Sequence, residues 1–397
     1  MIDQVILTVS AILLLAFGVE RLGRATGFPS VIVLILIGLA GKPILATVGV
    51  ELRGLDRAVN FIGALGLVLI VLEGALDIEL RMNRLRATAT AIVAAVAGFA
   101  VCVGAFAAVA WLALPLPPFE ALTLAVPFAV ISSAVAIPSS GFLPAKAREF
   151  VVYESSISDI LGVLLFFSLI NSNGSVGGVL MGLIGGGVLS LLLAALCAVG
   201  LAMILMRIDG HIRFIPLLAG LFGLYAAGKL MHLSPLIMVL LFGLALNNPY
   251  LIIRFRPFNH WLDETYETTL QQFKMLVLEL TFAVRGFFFI LLGYWTQVSD
   301  LASPQAWLAA VLILAVVYGS RAWMLRLARV EFASALTWLA PRGLITILLY
   351  VSAKEVLPVP DYLDGTVMLV VLASAAIVVI GRFRSVAVKA IESAGDE

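Results

Sequence analysis

Charge is scarce in this sequence. Asp, Glu, Lys and Arg together make up 12% of its 397 residues, about half of the one-quarter share found in an average soluble domain. Hydrophobic residues reach 62%, so most of the chain must sit in a solvent that disfavours charge, and that solvent is lipid. The formal net charge is only +1, which excludes a nucleic-acid partner held by a bulk positive field. Two cysteines, Cys102 and Cys197, lie inside apolar runs; they read as small hydrophobes and suggest neither a disulfide framework nor a metal site. Histidine is just as rare. His211, His232 and His260 all lie near connections, so an intramembrane hydrolase built on Ser139 or Ser140 before Gly141 would lack a deep base. Neither an enzyme nor a bound cofactor is expected.

What the sequence has in quantity is apolar runs. A helical span needs roughly 20 such residues, and hydropathy divides the chain into about 13 spans. The expectation is one all-α polytopic membrane domain over residues 1–397, with a short cytoplasmic tail at 382–397. The first run begins at Ile2 with no basic region before it and no small-residue cleavage site after it, the pattern of a retained span. One stretch, 248–273, mixes Arg254, Arg256, His260, Trp261, Asp263 and Glu264 with apolar residues and reads as an interfacial linker. Trp111, Trp261, Trp295 and Trp307 read as interface anchors. Of the 25 basic residues, 16 fall in odd-numbered connections and the tail, against Arg53, Arg57 and Lys354 in even-numbered ones. That bias puts the N-terminus outside and the C-terminus in the cytoplasm of a cell's inner membrane.

Thirteen spans divide into six, one and six, as an inverted repeat around a connecting helix would. The fifth and twelfth spans then correspond, and both are interrupted. The fifth carries Pro127, Pro138 and a polar string that includes Ser132 and Ser133, and the twelfth carries Pro341-Arg342-Gly343. Paired broken spans in equivalent positions point to a transport site at the bilayer midplane.

Buried charge gathers at the same level. In the sixth span Asp159 is about ten residues from the cytoplasmic end and Glu154 about five, and the two acids point about 140° apart at 100° per residue. Asp159 shares a helix face with Ser155 and lies at the depth of Ser132 and Ser133. Arg321 is level with Glu154, which suggests a structural ion pair, with Arg342 as the second candidate partner. Arg285, in the tenth span, lies about level with Asp159. Glu73, near the cytoplasmic end of the third span, either lines an inner funnel or is solvated by headgroups.

These residues carry a family resemblance. Glu154-Ser155-Ser156-Ile157-Ser158-Asp159 resembles the Glu-Ser-x-x-Asn-Asp signature in the sixth helix of NhaP/NHE-type sodium/proton exchangers of the cation/proton antiporter superfamily, with Ser158 in place of Asn. Leu72-Glu73-Gly74-Ala75-Leu76-Asp77 resembles the third-helix Phe-Glu-Gly-Gly-Leu element of that superfamily, and Pro341-Arg342-Gly343-Leu344 its Leu-Arg-Gly element. Phe287-Phe288-Phe289 with Leu292-Gly293 resembles the aromatic run of the tenth helix. At the fifth-span break the usual Thr-Asp-Pro is replaced by Ser132-Ser133-Ala134.

The resemblance implies a secondary antiporter, with a monovalent cation (Na⁺ before K⁺) and H⁺ as the transported ions. Asp159 would be the site shared by cation and proton, with Ser155, Ser158, Ser132 and Ser133 as oxygen ligands. Electrogenic relatives resemble one another in having two adjacent Asp residues; one carboxylate here implies electroneutral exchange. The resemblance further implies a role in pH homeostasis and a homodimer. A scaffold and dimer part is expected at about 1–80 and 177–273, and an ion-transporting core at about 87–171 and 300–381. A cation channel or another ion-coupled transporter would use the same buried charges; a channel would pass ions without coupled proton movement.

Overall fold

The structure, a computed structural model, describes residues 2–26, 28–47, 55–77, 85–172, 174–181, 192–193, 196–197, 200, 214–230, 235–248 and 264–395. All regular structure among the described residues is helical. The helices are α1 (Ile2–Thr26), α2 (Ser30–Thr47), α3 (Leu55–Asp77), α4 (Leu85–Ala113), α5 (Pro118–Ala129), α6 (Ser133–Ser139), α7 (Ala145–Ile170) and α8 (Val176–Met181). They continue with α9 (Phe214–Leu230), α10 (Pro235–Asn247), α11 (Glu264–Trp295), α12 (Val298–Leu301), α13 (Pro304–Leu327), α14 (Ala333–Thr337), α15 (Leu344–Lys354) and α16 (Tyr362–Gly395). Proline starts α5, α10 and α13, where its missing N–H has no helical partner to lose and its fixed φ suits the first turn.

Among the described residues, six segments are long and apolar enough to cross a membrane: Ala91–Ala113, Pro118–Phe142, Ala145–Ile170, Tyr266–Trp295, Pro304–Leu327 and Tyr362–Arg384. Shorter apolar helices add Ser30–Ile44, Phe214–Leu230, Met238–Asn247 and Leu344–Lys354. This is a multi-pass membrane protein. Large apolar side chains that face outward, among them Leu14 of α1, Leu112 of α4 and Leu308 of α13, need lipid to cover them. The interfacial linker expected over 248–273 lies outside the described residues from 249 to 263. So do most of the seventh span and His211, His232 and His260.

The expected repeat is visible in element order: long helix, broken helix, long helix, twice over. In the first half the order is α4, α5 with α6, then α7; in the second it is α13, α14 with α15, then α16. The chain forms two compact units, Met1–Ala64 with Arg86–Asp159 and Ala283–Glu397, and Leu65–Leu85 with Ile160–Phe282. Both broken helices belong to the first. In the second, α9 and α10 pack together, and the Tyr266 hydroxyl donates to Leu246 O at 2.8 Å, tying α11 to the end of α10.

Within the first unit α2 and α11 meet backbone to backbone. A Cβ on Gly38 would run into Ile290 O, and one on Gly293 would run into Ile35 O, so each helix carries the glycine the other needs. Small residues at such crossings let backbones approach where no hydrophobic effect drives association. Gly293→Ala is therefore expected to destabilise the protein by about 1–3 kcal/mol through overpacking. Gly104→Ala, which meets open space in α4, is expected to be neutral or slightly stabilising. Thermal unfolding of both variants in detergent checks this.

Candidate ion-binding site

An unwound segment inside a bilayer exposes N–H and C=O groups that no water can reach, and each one left unpaired costs several kcal/mol, on the order of 2–7. The first break runs from Val130 (φ −71°, ψ 128°) to Ser132 (φ −73°, ψ 113°), both extended, between α5 and α6. The second lies between α14 and α15 and ends at an extended Gly343. The breaks cross each other. Ser132 N–H donates to Pro341 O at 2.9 Å, and a Cβ on Gly343 would strike the Ser132 hydroxyl. The longer halves, α5 and α15, pack together, with the Phe128 and Tyr350 rings 6.3 Å apart.

Side chains supply further partners, from neighbouring helices and from Arg342 of the second break. Ile131 N–H donates to Ser158 Oγ at 2.9 Å, and Arg342 N–H donates to Ser374 Oγ at 2.9 Å. The Arg342 guanidinium donates through Nε to Phe128 O at 2.7 Å and through Nη1 to Ala340 O at 3.2 Å. Arg285 Nη1 reaches Ala134 O at 3.4 Å. The Arg342 cation thus meets the partially negative C-terminal end of α5, where it is electrostatically favoured.

Asp159 stands at the other side of the crossing. Its Oδ2 accepts from Ser133 N–H at 3.2 Å and from the Ser133 hydroxyl, at the first residue of α6. Its Oδ1 is buried and has no hydrogen-bond partner among the described residues. The carboxylate therefore has one oxygen fixed by the break and one available for a proton or a cation.

Glu154 faces elsewhere. Arg321 Nη1 and Nη2 donate to Glu154 Oε1 and Oε2 at 2.7 and 2.8 Å, the bidentate geometry that favours Arg over Lys. Arg321 Nε also donates to Leu336 O of α14 at 2.8 Å, so one guanidinium joins α7, α13 and α14. Both members are buried, at 2% and 4% exposure.

Of the other residues expected at the site, Arg342 binds carbonyls of the breaks while Arg321 holds Glu154. Arg285 contacts the residue after Ser133. The Ser155 hydroxyl donates to Val151 O on its own helix at 2.7 Å, a common resting place for serine in a helix. Glu73 is half-buried on α3, in the second compact unit. Ser374 was not foreseen: a lone serine in the apolar string Leu372-Ala373-Ser374-Ala375-Ala376 gives no signal unless the two halves are superposed in thought.

Two interrupted helices crossing around a buried carboxylate are the features of an ion-coupled secondary transporter. The model of the transmembrane sodium/hydrogen exchanger family matches residues 7–386, and the chain belongs to that family. Two solved structures of the sodium proton antiporter MjNhaP1 from Methanocaldococcus jannaschii share the fold. One, at pH 8, is 20% identical with a TM-score of 0.73 and covers 95% of this chain and 96% of its own. The other, from a 3D EM map, is 19% identical with a TM-score of 0.68 and covers 100% of this chain and 96% of its own. No curated protein matches the chain.

The ion pair yields a stability test. Glu154→Gln strands a buried guanidinium and is expected to cost about 3–5 kcal/mol, whereas Glu154→Gln with Arg321→Met, which removes both charges, is expected to cost less than the sum of the single changes. Melting temperatures of the two single variants and the double variant check this.

Proposed function

We propose that this protein is an antiporter exchanging a monovalent cation, Na⁺ first and K⁺ as the alternative cargo, for H⁺ by competition at Asp159. The observation that carries the reading is the asymmetry of that carboxylate, with Oδ2 held by Ser133 and Oδ1 buried without a partner among the described residues. A hard cation needs oxygen ligands, and Asp159 Oδ1 with the hydroxyls of Ser132, Ser133, Ser158 and Ser155 would supply them. A proton on the same oxygen excludes the cation. With Asp159 ionised and empty, moving the site through a low-dielectric barrier carries a bare charge, which is costly. Either ligand removes that cost, and coupling follows from the competition.

A cavity of about 300 Å³ in the first unit supports an access route. It is lined by Glu20, Ser30, Ala134, Ser139, Arg285 and Arg382, among others, so it runs from the start of the tail to the residue after Ser133. With the C-terminus in the cytoplasm of the inner membrane, as the basic residues favour, this route opens inward. The scaffold at about 1–80 and 177–273 supports a homodimer in this reading, and the physiological task is pH homeostasis.

The stoichiometry is one for one. Glu154 and Asp159 are the only buried acids among the described residues, and Glu154 is held by Arg321. One carboxylate trading one monovalent cation for one proton moves no net charge, so a membrane potential, worth about 2.3 kcal/mol per charge per 100 mV, drives nothing.

Asp159→Asn is expected to abolish cation-driven proton movement in proteoliposomes while the protein remains folded and inserted; retained exchange contradicts the mechanism. In the unmodified protein, the cation gradient that exactly opposes a set pH gradient is expected to stay at the same value when a potential is imposed. A displaced null point refutes electroneutrality.

A further inference from the structure

The two breaks are braced in the same way. In the first, a backbone N–H of the unwound segment, that of Ile131, donates to Ser158 Oγ on the following long helix, α7. In the second, a backbone N–H of the unwound segment, that of Arg342, donates to Ser374 Oγ on the following long helix, α16. Both bonds are 2.9 Å, and α7 and α16 occupy equivalent places in the two halves. Ser374 is fully buried. Its hydroxyl donates back to Val371 O at 3.1 Å, which orients the oxygen and leaves a lone pair for the break. The Tyr318 hydroxyl of α13 donates to Ser374 O at 3.3 Å, fixing the helix at that residue.

From Ser374 the path to the carboxylate is short. Arg342 follows Pro341, whose carbonyl accepts the Ser132 N–H. Ser132 precedes Ser133, whose N–H and hydroxyl hold Asp159 Oδ2. Arg342 also carries the guanidinium that binds Phe128 O at the end of α5. A shift of the Arg342 backbone therefore moves both the partner of Ser132 and the positive charge beneath α5.

We infer that Ser374 is a positioning residue for ion binding, the counterpart of Ser158 in the second half, holding the twelfth-span break so that Ser132 and Ser133 present Asp159 to the cation. The inference rests on the exchange reading above. Ser374 touches no ion; it acts through Arg342 and Pro341. Losing it leaves the Arg342 N–H buried without its acceptor, and the break must find another arrangement.

The test compares Ser374→Ala with Thr366→Val in proteoliposomes. Thr366 is equally buried on α16, but its hydroxyl bonds to Tyr362 O and Ala306 O, away from either break. Cation-driven proton movement in the unmodified protein comes first, since its absence defeats the exchange reading itself rather than this one. Given exchange, Ser374→Ala is expected to raise the apparent KM for the cation about fivefold, the scale of one lost buried hydrogen bond, with maximal turnover within about twofold. Thr366→Val is expected to lower the melting temperature with KM unchanged. A Ser374→Ala protein that melts lower but keeps the unmodified KM has only a structural role there, and the inference falls. If Ser374→Ala does not insert, Ser374→Cys, nearly isosteric with a weaker acceptor, carries the same measurement: a raised KM upholds the inference and an unmodified KM overturns it.

Discussion

Everything at the centre of this molecule follows from one demand, that an unwound backbone in a bilayer must hydrogen-bond to protein. Two helices are interrupted where they cross. Their free N–H and C=O groups are met by each other, as in Ser132 to Pro341, or by side chains, those of Ser158, Ser374 and Arg285 from adjacent helices and that of Arg342 from the second break itself. These polar residues are costly to bury, yet each has a backbone partner in the interrupted helices. The arrangement also sorts charge. The cation Arg342 lies against the C-terminal end of α5 and the anion Asp159 against the first residue of α6, the signs that helix ends favour.

The two buried acids of α7 are held differently. Glu154 and Arg321 satisfy each other through two hydrogen bonds, and Arg321 adds Leu336 O. Both carboxylate oxygens and three of the five guanidinium N–H groups are thus engaged. Asp159 is different because the break engages only one of its oxygens. Within a single helix, α7, two acids five residues apart thus differ: one is held through both oxygens, and the other, in the exchange mechanism proposed above, is the one that takes a proton or a cation.

The sequence makes much of this architecture legible. Scarce charge and long apolar runs define a multi-pass helical membrane protein, and the prolines and serines of the fifth span and Pro341-Arg342-Gly343 of the twelfth mark the two interruptions. Depth along the helices sets Arg321 level with Glu154, and the structure joins the two. What depth cannot give is direction. Arg285 and Arg342 are level with Asp159, but both turn to backbone carbonyls, Arg342 to those of Phe128 and Ala340 beside the breaks and Arg285 to that of Ala134, four residues before Pro138, which has no N–H to meet it. Ser155 shares a face with Asp159, yet its hydroxyl settles on Val151 O. Ser374 is silent for the same reason: its partner exists only once the second helix has unwound. The close contact of Gly38 and Gly293 with the facing backbones likewise requires knowing that α2 and α11 are neighbours.

Competition between proton and cation at one carboxylate is the central claim, and proton release on cation binding tests it most directly. Purified protein in detergent is titrated with Na⁺ by calorimetry in buffers of different ionisation enthalpy, at a pH where the site is largely protonated. The account predicts a binding heat that scales with buffer enthalpy at close to one proton released per Na⁺ bound, and no such signal in Asp159→Asn. Saturable Na⁺ binding with a heat independent of the buffer would contradict it.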